Sequence, residues 1–252
     1  MILELDAGNT RVKWRIIDEL GQRRGGGFLN SDATAGDMLQ PLLAARNLHA
    51  ARMVSVASPV VSQSIAFMLQ AAFGLDLQLA KVKAECSGVR NPYKVVSKLG
   101  ADRWLAVLAA NKRYGPNCLV VDCGSATTVE LMAAGEYLGG VILPGASLMY
   151  KALYSDTHQV KVEHNVPSDL VVGNDTESAV DNGVWGAQVG LISLYRNKLL
   201  EKLGQGTGVE VVLCGGDAKK VAPLLPFAYR LDEELVLDGL EVACPIVRVL
   251  SN

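Results

Sequence analysis

The chain has 252 residues, with 24 Lys and Arg against 26 Asp and Glu and a net charge of −2, a length that holds one large domain or two of roughly 100–150 residues. Half of it is apolar and a fifth is charged, which supplies ample core and excludes disordered, collagenous and disulfide-stapled classes. The near-neutral charge argues against extended nucleic-acid binding, which needs clustered Lys and Arg, and no uncharged apolar run approaches the roughly 20 residues of a membrane span.

In chain order, Ile2-Leu3-Glu4-Leu5 is a short apolar strand with no basic region ahead of it, so it does not resemble a signal peptide and the expected compartment is the cytoplasm. Asp6-Ala7-Gly8-Asn9-Thr10 then leads into the alternating text Val12-Lys13-Trp14-Arg15-Ile16, which predicts a β-hairpin with a glycine in its turn. Ala/Leu-rich text from Asp32 to Asn47 suits a helix, and Arg52 to Val56 reads as a buried strand. Ser58-Pro59 pairs a capping residue with Pro at the first helical position, ahead of a helix running to Phe73. A strand at Leu75 to Lys83 follows. Asp102 to Tyr114 places Leu105, Leu108 and Ala109 on one face, the pattern of an amphipathic helix.

The second half opens as the first does. Cys118-Leu119-Val120-Val121-Asp122-Cys123-Gly124-Ser125-Ala126 repeats the strand and the Asp-x-Gly turn, and Thr128 to Leu131 is the returning strand. Gly139 to Gly145 is a strand entering a tight turn, with a helix at Ala146 to Tyr154 behind it. Trp185 to Leu203 is a longer helix ended by Gly204, Glu210 to Leu213 a strand ended by Cys214-Gly215-Gly216-Asp217, and helix follows again from Ala218. Val236 to Arg248 reads as a closing apolar helix. Alternating strands and helices make the class α/β, and the two hairpins make its sheets mixed. Repetition of the Asp6 turn at Asp122 predicts two similar domains, residues 1–115 and 116–252.

Chemistry-bearing residues concentrate in the turns. Cys86, Cys118, Cys123, Cys214 and Cys244 are odd in number and form no C-x-x-C pair, which suits small core hydrophobes rather than disulfides or a zinc cluster. His49, His158 and His164 lack metal-ligand spacing and read as exposed loop residues. Glycine-bearing turns recur at residues 6–10, 122–128, 139–145 and 214–217, three of them with an aspartate. Backbone N–H groups freed by glycine cradle phosphate oxygens, and an Asp in the same turn holds Mg²⁺ or its water shell. Together they describe a nucleotide site. Asp102 lies at a helix start after Gly100-Ala101, where Asp is a favoured N-cap; a carboxylate ionised at neutral pH is equally a candidate general base, and the sequence leaves both roles open.

The stretch Asp6 to Lys13, Gly100-Ala101-Asp102-Arg103, the stretch Asp122 to Thr128 and Thr176-Glu177 resemble, in order and spacing, the motifs of the type III pantothenate kinases, which belong to the acetate-and-sugar-kinase/actin superfamily. The likeness runs from Ile2 to about Ile246. It implies two duplicated ribonuclease-H-like, actin-like domains with mixed sheets and an interdomain ATP cleft, the acceptor motif lying in the N-terminal one. The activity implied is ATP-dependent phosphorylation of pantothenate to 4′-phosphopantothenate, the first step of coenzyme A synthesis. By the same resemblance Asp6, Ala7, Gly8, Asn9, Thr10, Arg11, Val12, Lys13 and Ser125 bind ATP with Mg²⁺, and Asp122 binds a monovalent cation, K⁺ or NH₄⁺. Tyr93, Gly100, Ala101, Asp102, Arg103 and Thr176 bind pantothenate, with Asp102 as the base. Cys214 to Asp217 resembles the glycine-rich element that lies against adenosine, and also has the form of a strand-to-helix turn with a capping Asp. Ser125 stands where the family usually has Thr and keeps the hydroxyl; Cys123 replaces a commoner bulky residue. A homodimer is implied as well. The rival readings are a kinase of another small hydroxyl compound and a non-enzymatic transcription accessory factor of the same family.

Overall fold

A computed structural model describes residues 1–31, 47–155, 165–204 and 206–246. It divides into two units, Met1–Ala109 with Leu235–Asn252, and Ala110–Glu234. The expected helix from Asp32 falls outside the described residues up to position 46, as do His158 and His164.

In the first unit, β1 (Ile2–Ala7), β2 (Arg11–Ile17), β3 (Arg23–Leu29), β4 (Ala50–Ser55) and, after α1 (Pro59–Phe73), β5 (Leu77–Leu79) form a sheet of order β3-β2-β1-β4-β5. The hairpin strands β1, β2 and β3 run antiparallel, while β4 and β5 run parallel to β1. Leu3, Leu5 and Ala7 alternate onto one face of β1 and share a core with Val61, Ile65 and Leu69 of α1, the period-two and period-four spacings that bring a strand and a helix together. Pro59 does open α1, but Ser58 makes no side-chain capping bond; Gly74, at φ 64°, ends the helix with its N–H on the Gln70 carbonyl, a left-handed stop that glycine adopts without strain. The strand expected over Leu75 to Lys83 pairs over three residues alone. A short hairpin, β6 (Glu85–Cys86) with β7 (Val89–Arg90), precedes α2 (Ala101–Tyr114).

Helix α2 departs from its expected form. Every residue from Arg103 to Ala110 is buried, so the middle of the helix is enclosed all round rather than half-exposed, and only its end, at Lys112 and Arg113, is exposed. The division between the units falls inside it, after Ala109.

The second unit repeats the first. β8 (Cys118–Cys123), β9 (Ala126–Ala133), β10 (Glu136–Pro144), β11 (Glu210–Cys214) and β12 (Arg230–Leu231) take the order β10-β9-β8-β11-β12, with the same antiparallel and parallel pairings. Strand for strand this is the order of the first sheet, so the internal repeat read from Asp6 and Asp122 is a duplication of the whole sheet. Leu119, Val121 and Cys123 enter a core with Val184, Trp185, Val189 and Ile192, which belong to α4 (Thr176–Leu203); α3 (Ala146–Ser155) lies before it in the chain and α5 (Ala218–Val221) after it. Helix α4 starts well ahead of the expected Trp185. A capping box at Asp175 and Ser178 nucleates it, and the polar, glycine-bearing text between hides its apolar period.

The closing helix α6 (Leu235–Ala243) ends before the expected Arg248, since Pro245 cannot extend it. It belongs to the first unit and packs across β1 and β4, whereas the sequence reading placed it in the second half. Its landing ground is charged. Glu4, Arg15 and Arg52, from β1, β2 and β4, are all buried; Glu4 pairs with both guanidiniums, Arg15 Nη1 donates to Asp238 Oδ1 at 2.6 Å, and Arg52 Nη1 donates to the Cys244 carbonyl at 2.9 Å. Residues at alternate positions along β1 thus serve two covers, apolar for α1 and ionic for α6. No helix among the described residues is long and apolar enough to cross a membrane.

Candidate active site

In the first unit Asp6 and Lys13 face each other across the β1–β2 ladder, one pair back from the Ala7–Val12 pair that precedes the Gly8-Asn9-Thr10 turn. Gly8 N–H donates to the Arg11 carbonyl at 3.0 Å. Asn30, just past β3, grips the same turn: Nδ2 donates to the Gly8 and Asn9 carbonyls, both at 2.9 Å, and its backbone N–H to the Thr10 carbonyl at 3.0 Å. Nothing in the sequence singled out Asn30, because the strand pairing that brings it alongside residues 8–10 is visible only in the fold.

The Gly100-Ala101-Asp102-Arg103 segment opens α2. The helix begins at Ala101, so Asp102 stands inside the first turn rather than at the cap, and its Oδ1 accepts from the Arg103 N–H at 2.8 Å. Burial pushes the Asp102 carboxyl above the usual carboxylate range, against the opposing pull of the Arg103 N–H and guanidinium. Gly100 leaves room for that side chain, since a Cβ there would stand 2.7 Å from Asp102 Oδ1. Arg103 is buried and its Nη1 donates to the Tyr93 hydroxyl at 3.0 Å, with the guanidinium 5.9 Å from the ring centroid. Tyr93 is placed by Asn91, whose Oδ1 accepts the Tyr93 N–H at 2.9 Å and whose Nδ2 donates to the Val96 carbonyl at 3.3 Å. The structure therefore brings together Tyr93, Asp102 and Arg103, which the sequence could only name separately.

In the second unit three glycine turns meet at the ends of β8, β10 and β11. Gly145 N–H donates to the Ser125 carbonyl at 3.0 Å, and Asp217 N–H to the Cys123 carbonyl at 2.9 Å. Neither Gly145 nor Gly215 tolerates a side chain: a Cβ on Gly145 would lie 2.1 Å from the Gly124 carbonyl oxygen, and one on Gly215, at φ 89°, would lie 2.3 Å from Asp122 Oδ1. Asp217 makes no side-chain cap to α5 and instead pairs with Lys220 at 2.8 Å. Burial, with Asp122 and Asp217 adding to it, pushes the Cys123 thiol up to about 12, so it stays protonated and serves packing. Thr176 is the first residue of α4 and lines a cavity of about 450 Å³ with Met149, Leu153, Ala179, Val180 and Val184.

Two copies of one five-stranded order, each with an acidic glycine turn after its first strand, define a protein of duplicated ribonuclease-H-like, actin-like domains. The family profile of type III pantothenate kinase matches residues 2–198. Type III pantothenate kinases of Ectopseudomonas mendocina and Azotobacter vinelandii are 36% and 35% identical to it, each over 98% of this chain and over 100% and 99% of their own lengths. The chain belongs to the type III pantothenate kinase family. A solved structure from Campylobacter jejuni, named for the Baf family of transcriptional activators, matches the fold with a TM-score of 0.57 at 19% identity over 95% of both chains.

Proposed function

We propose that this protein transfers the terminal phosphoryl group of ATP to the primary hydroxyl of pantothenate, giving 4′-phosphopantothenate. The observation that carries this reading is the grouping of Asp102, Arg103 and Tyr93 at one helix start in a chain of this family. Phosphoryl transfer needs an aligned acceptor, charge neutralisation and a proton acceptor. Asp102 takes the hydroxyl proton, and the proton affinity that burial raises suits that work. Arg103, oriented by Tyr93, meets the pantothenate carboxylate as guanidinium meets carboxylate elsewhere, and the Thr176 hydroxyl is a further contact to pantothenate.

Asp6, Lys13 and the N–H groups of residues 9–11 receive the phosphates, with Ser125 a further ATP contact. Hard oxygen donors that fit Mg²⁺ or a monovalent cation stand in each unit, Asp6 in the first and Asp122 in the second, each beside a backbone turn, and Mg²⁺ usually rests on one or two carboxylates plus substrate phosphate rather than on an all-protein cage. Bound there, such cations neutralise phosphate charge. Asp122 is the residue we assign to K⁺ or NH₄⁺. We read the protein as a cytoplasmic homodimer that needs neither nucleic acid nor a membrane.

Purified protein given ATP, Mg²⁺, K⁺ or NH₄⁺, and pantothenate should form 4′-phosphopantothenate. No product would refute the proposal, and faster ADP release with another hydroxy compound would move the assignment to that substrate. Gly100→Ala tests the placement of the base. The new methyl displaces the Asp102 carboxylate, so kcat should fall on the order of ten- to a hundredfold, the cost of misplacing a catalytic group by an ångström, with the melting temperature nearly unchanged. Unaltered kcat would mean that the carboxylate position seen here is not the working one.

A further inference from the structure

We infer that Asn30 is a positioning residue that sets which way the Gly8-Asn9-Thr10 turn presents its backbone N–H groups, and so holds the phosphates of ATP; the inference rests on reading that turn as the phosphate site. Three successive carbonyls, those of Gly8, Asn9 and Thr10, all accept hydrogen bonds from this one residue. The peptide bonds of the described residues are trans. In a planar trans peptide the C=O and the following N–H point in opposite directions. Fixing those carbonyls on Asn30 therefore aims the N–H groups of Asn9, Thr10 and Arg11 away from it, and a run of N–H groups aimed one way is an anion-binding nest.

The amide is suited to this task at one end only. Its nitrogen carries two donors, matching two carbonyl acceptors, whereas its buried Oδ1 has no partner among the described residues. The second repeat keeps the backbone part of this arrangement and lacks the side-chain part. Ala7 faces Val12 as Cys123 faces Thr127, so Leu29 opposite Arg11 corresponds to Pro144 opposite Ala126, which sets Asn30 against Gly145. There the glycine backbone itself closes on the turn: Gly145 N–H donates to the Ser125 carbonyl, and any Cβ would strike the Gly124 carbonyl. Both repeats hold one turn carbonyl with a backbone N–H, from Asn30 or from Gly145, and the first alone adds a side-chain amide on two more.

The test is steady-state kinetics of Asn30→Ala and Asn30→Asp, with adenosine binding as the phosphate-free control. Asn30→Ala should raise KM for ATP about ten- to a hundredfold, the worth of one or two hydrogen bonds to a charged group. KM for pantothenate and the affinity for adenosine should stay as they are. Asn30→Asp keeps the shape but sets carboxylate oxygens against two carbonyls, so it should be at least as damaging as Asn30→Ala. An isosteric Asp milder than Ala, a KM for ATP within about twofold of the parent, or a parallel fall in every constant and in melting temperature would overturn the inference. Should Asn30→Ala not fold, Asn30→Ser is read by the same split. A parent protein without kinase activity would instead overturn the underlying reading of the turn, an outcome distinct from an active parent with an indifferent Asn30.

Discussion

Asp102→Asn should give a folded protein that turns over about 10²- to 10⁴-fold more slowly, the usual contribution of a positioned general base, and that melts higher than its parent at neutral pH. The first effect follows because an amide keeps the acceptor for the Arg103 N–H but cannot take a proton from the hydroxyl. The second follows from the direction of the Asp102 shift. Burial raises its affinity for a proton in the folded state, so the folded chain binds that proton more tightly than the unfolded chain does, and stability falls as pH rises from the ordinary carboxylate value through the folded one. The amide carries no such penalty. The stability gap between variant and parent should accordingly be small at pH values below the ordinary carboxylate range, and widen to a plateau once Asp102 is ionised in both states. The parent's kcat/KM should lose activity on the acid side at a pH above that of an ordinary aspartate. A variant that retains full turnover would leave Asp102 with a first-turn role alone. One that melts lower at neutral pH would show that the ionised carboxylate makes hydrogen bonds strong enough to outweigh its burial, which the amide cannot reproduce.

The duplication was legible in the sequence because its markers are local. Asp6 and Asp122, each followed two residues later by glycine, fall at the same point of the same strand order, and turn chemistry of this kind survives without tertiary context. The acceptor group was legible for a similar reason, since residues 100–103 are contiguous. What escaped depends on pairings between distant segments. Asn30 acts only because β3 returns beside the β1–β2 turn. Glu4, Arg15 and Arg52 are single charges within strand text, and nothing local announces that they pair with one another under a C-terminal helix. Helix α2 misled in the opposite sense: its Ala-rich text suited a half-exposed helix, and small residues equally suit one enclosed on every side.

Glu4→Ala should destabilise the protein by about 3–5 kcal/mol, the range for breaking a buried ion pair by removing one partner, because it takes from the enclosed guanidiniums of Arg15 and Arg52 the carboxylate that pairs with both. The hydrogen bond from Arg52 to the Cys244 carbonyl beyond the end of α6 cannot supply the missing charge. Urea unfolding would register the loss as a lower midpoint at an unchanged slope. Against a total stability of roughly 5–15 kcal/mol, that is a large fraction for a residue with no part in the chemistry. Replacing the whole cluster gives the control: Glu4→Leu with Arg15→Met and Arg52→Met removes the charges together with their desolvation cost, and apolar substitution of a buried ionic group is often neutral or stabilising. The triple variant should therefore recover most of what Glu4→Ala loses. Recovery in stability accompanied by a rise in KM for ATP would show that the ionic cluster also fixes β1 in the register that presents Asp6, two residues beyond Glu4 on the same face. A loss below about 1 kcal/mol for Glu4→Ala, the scale of an exposed pair, would mean that the guanidiniums find water when the carboxylate goes, and that α6 is held on the sheet by its apolar face alone.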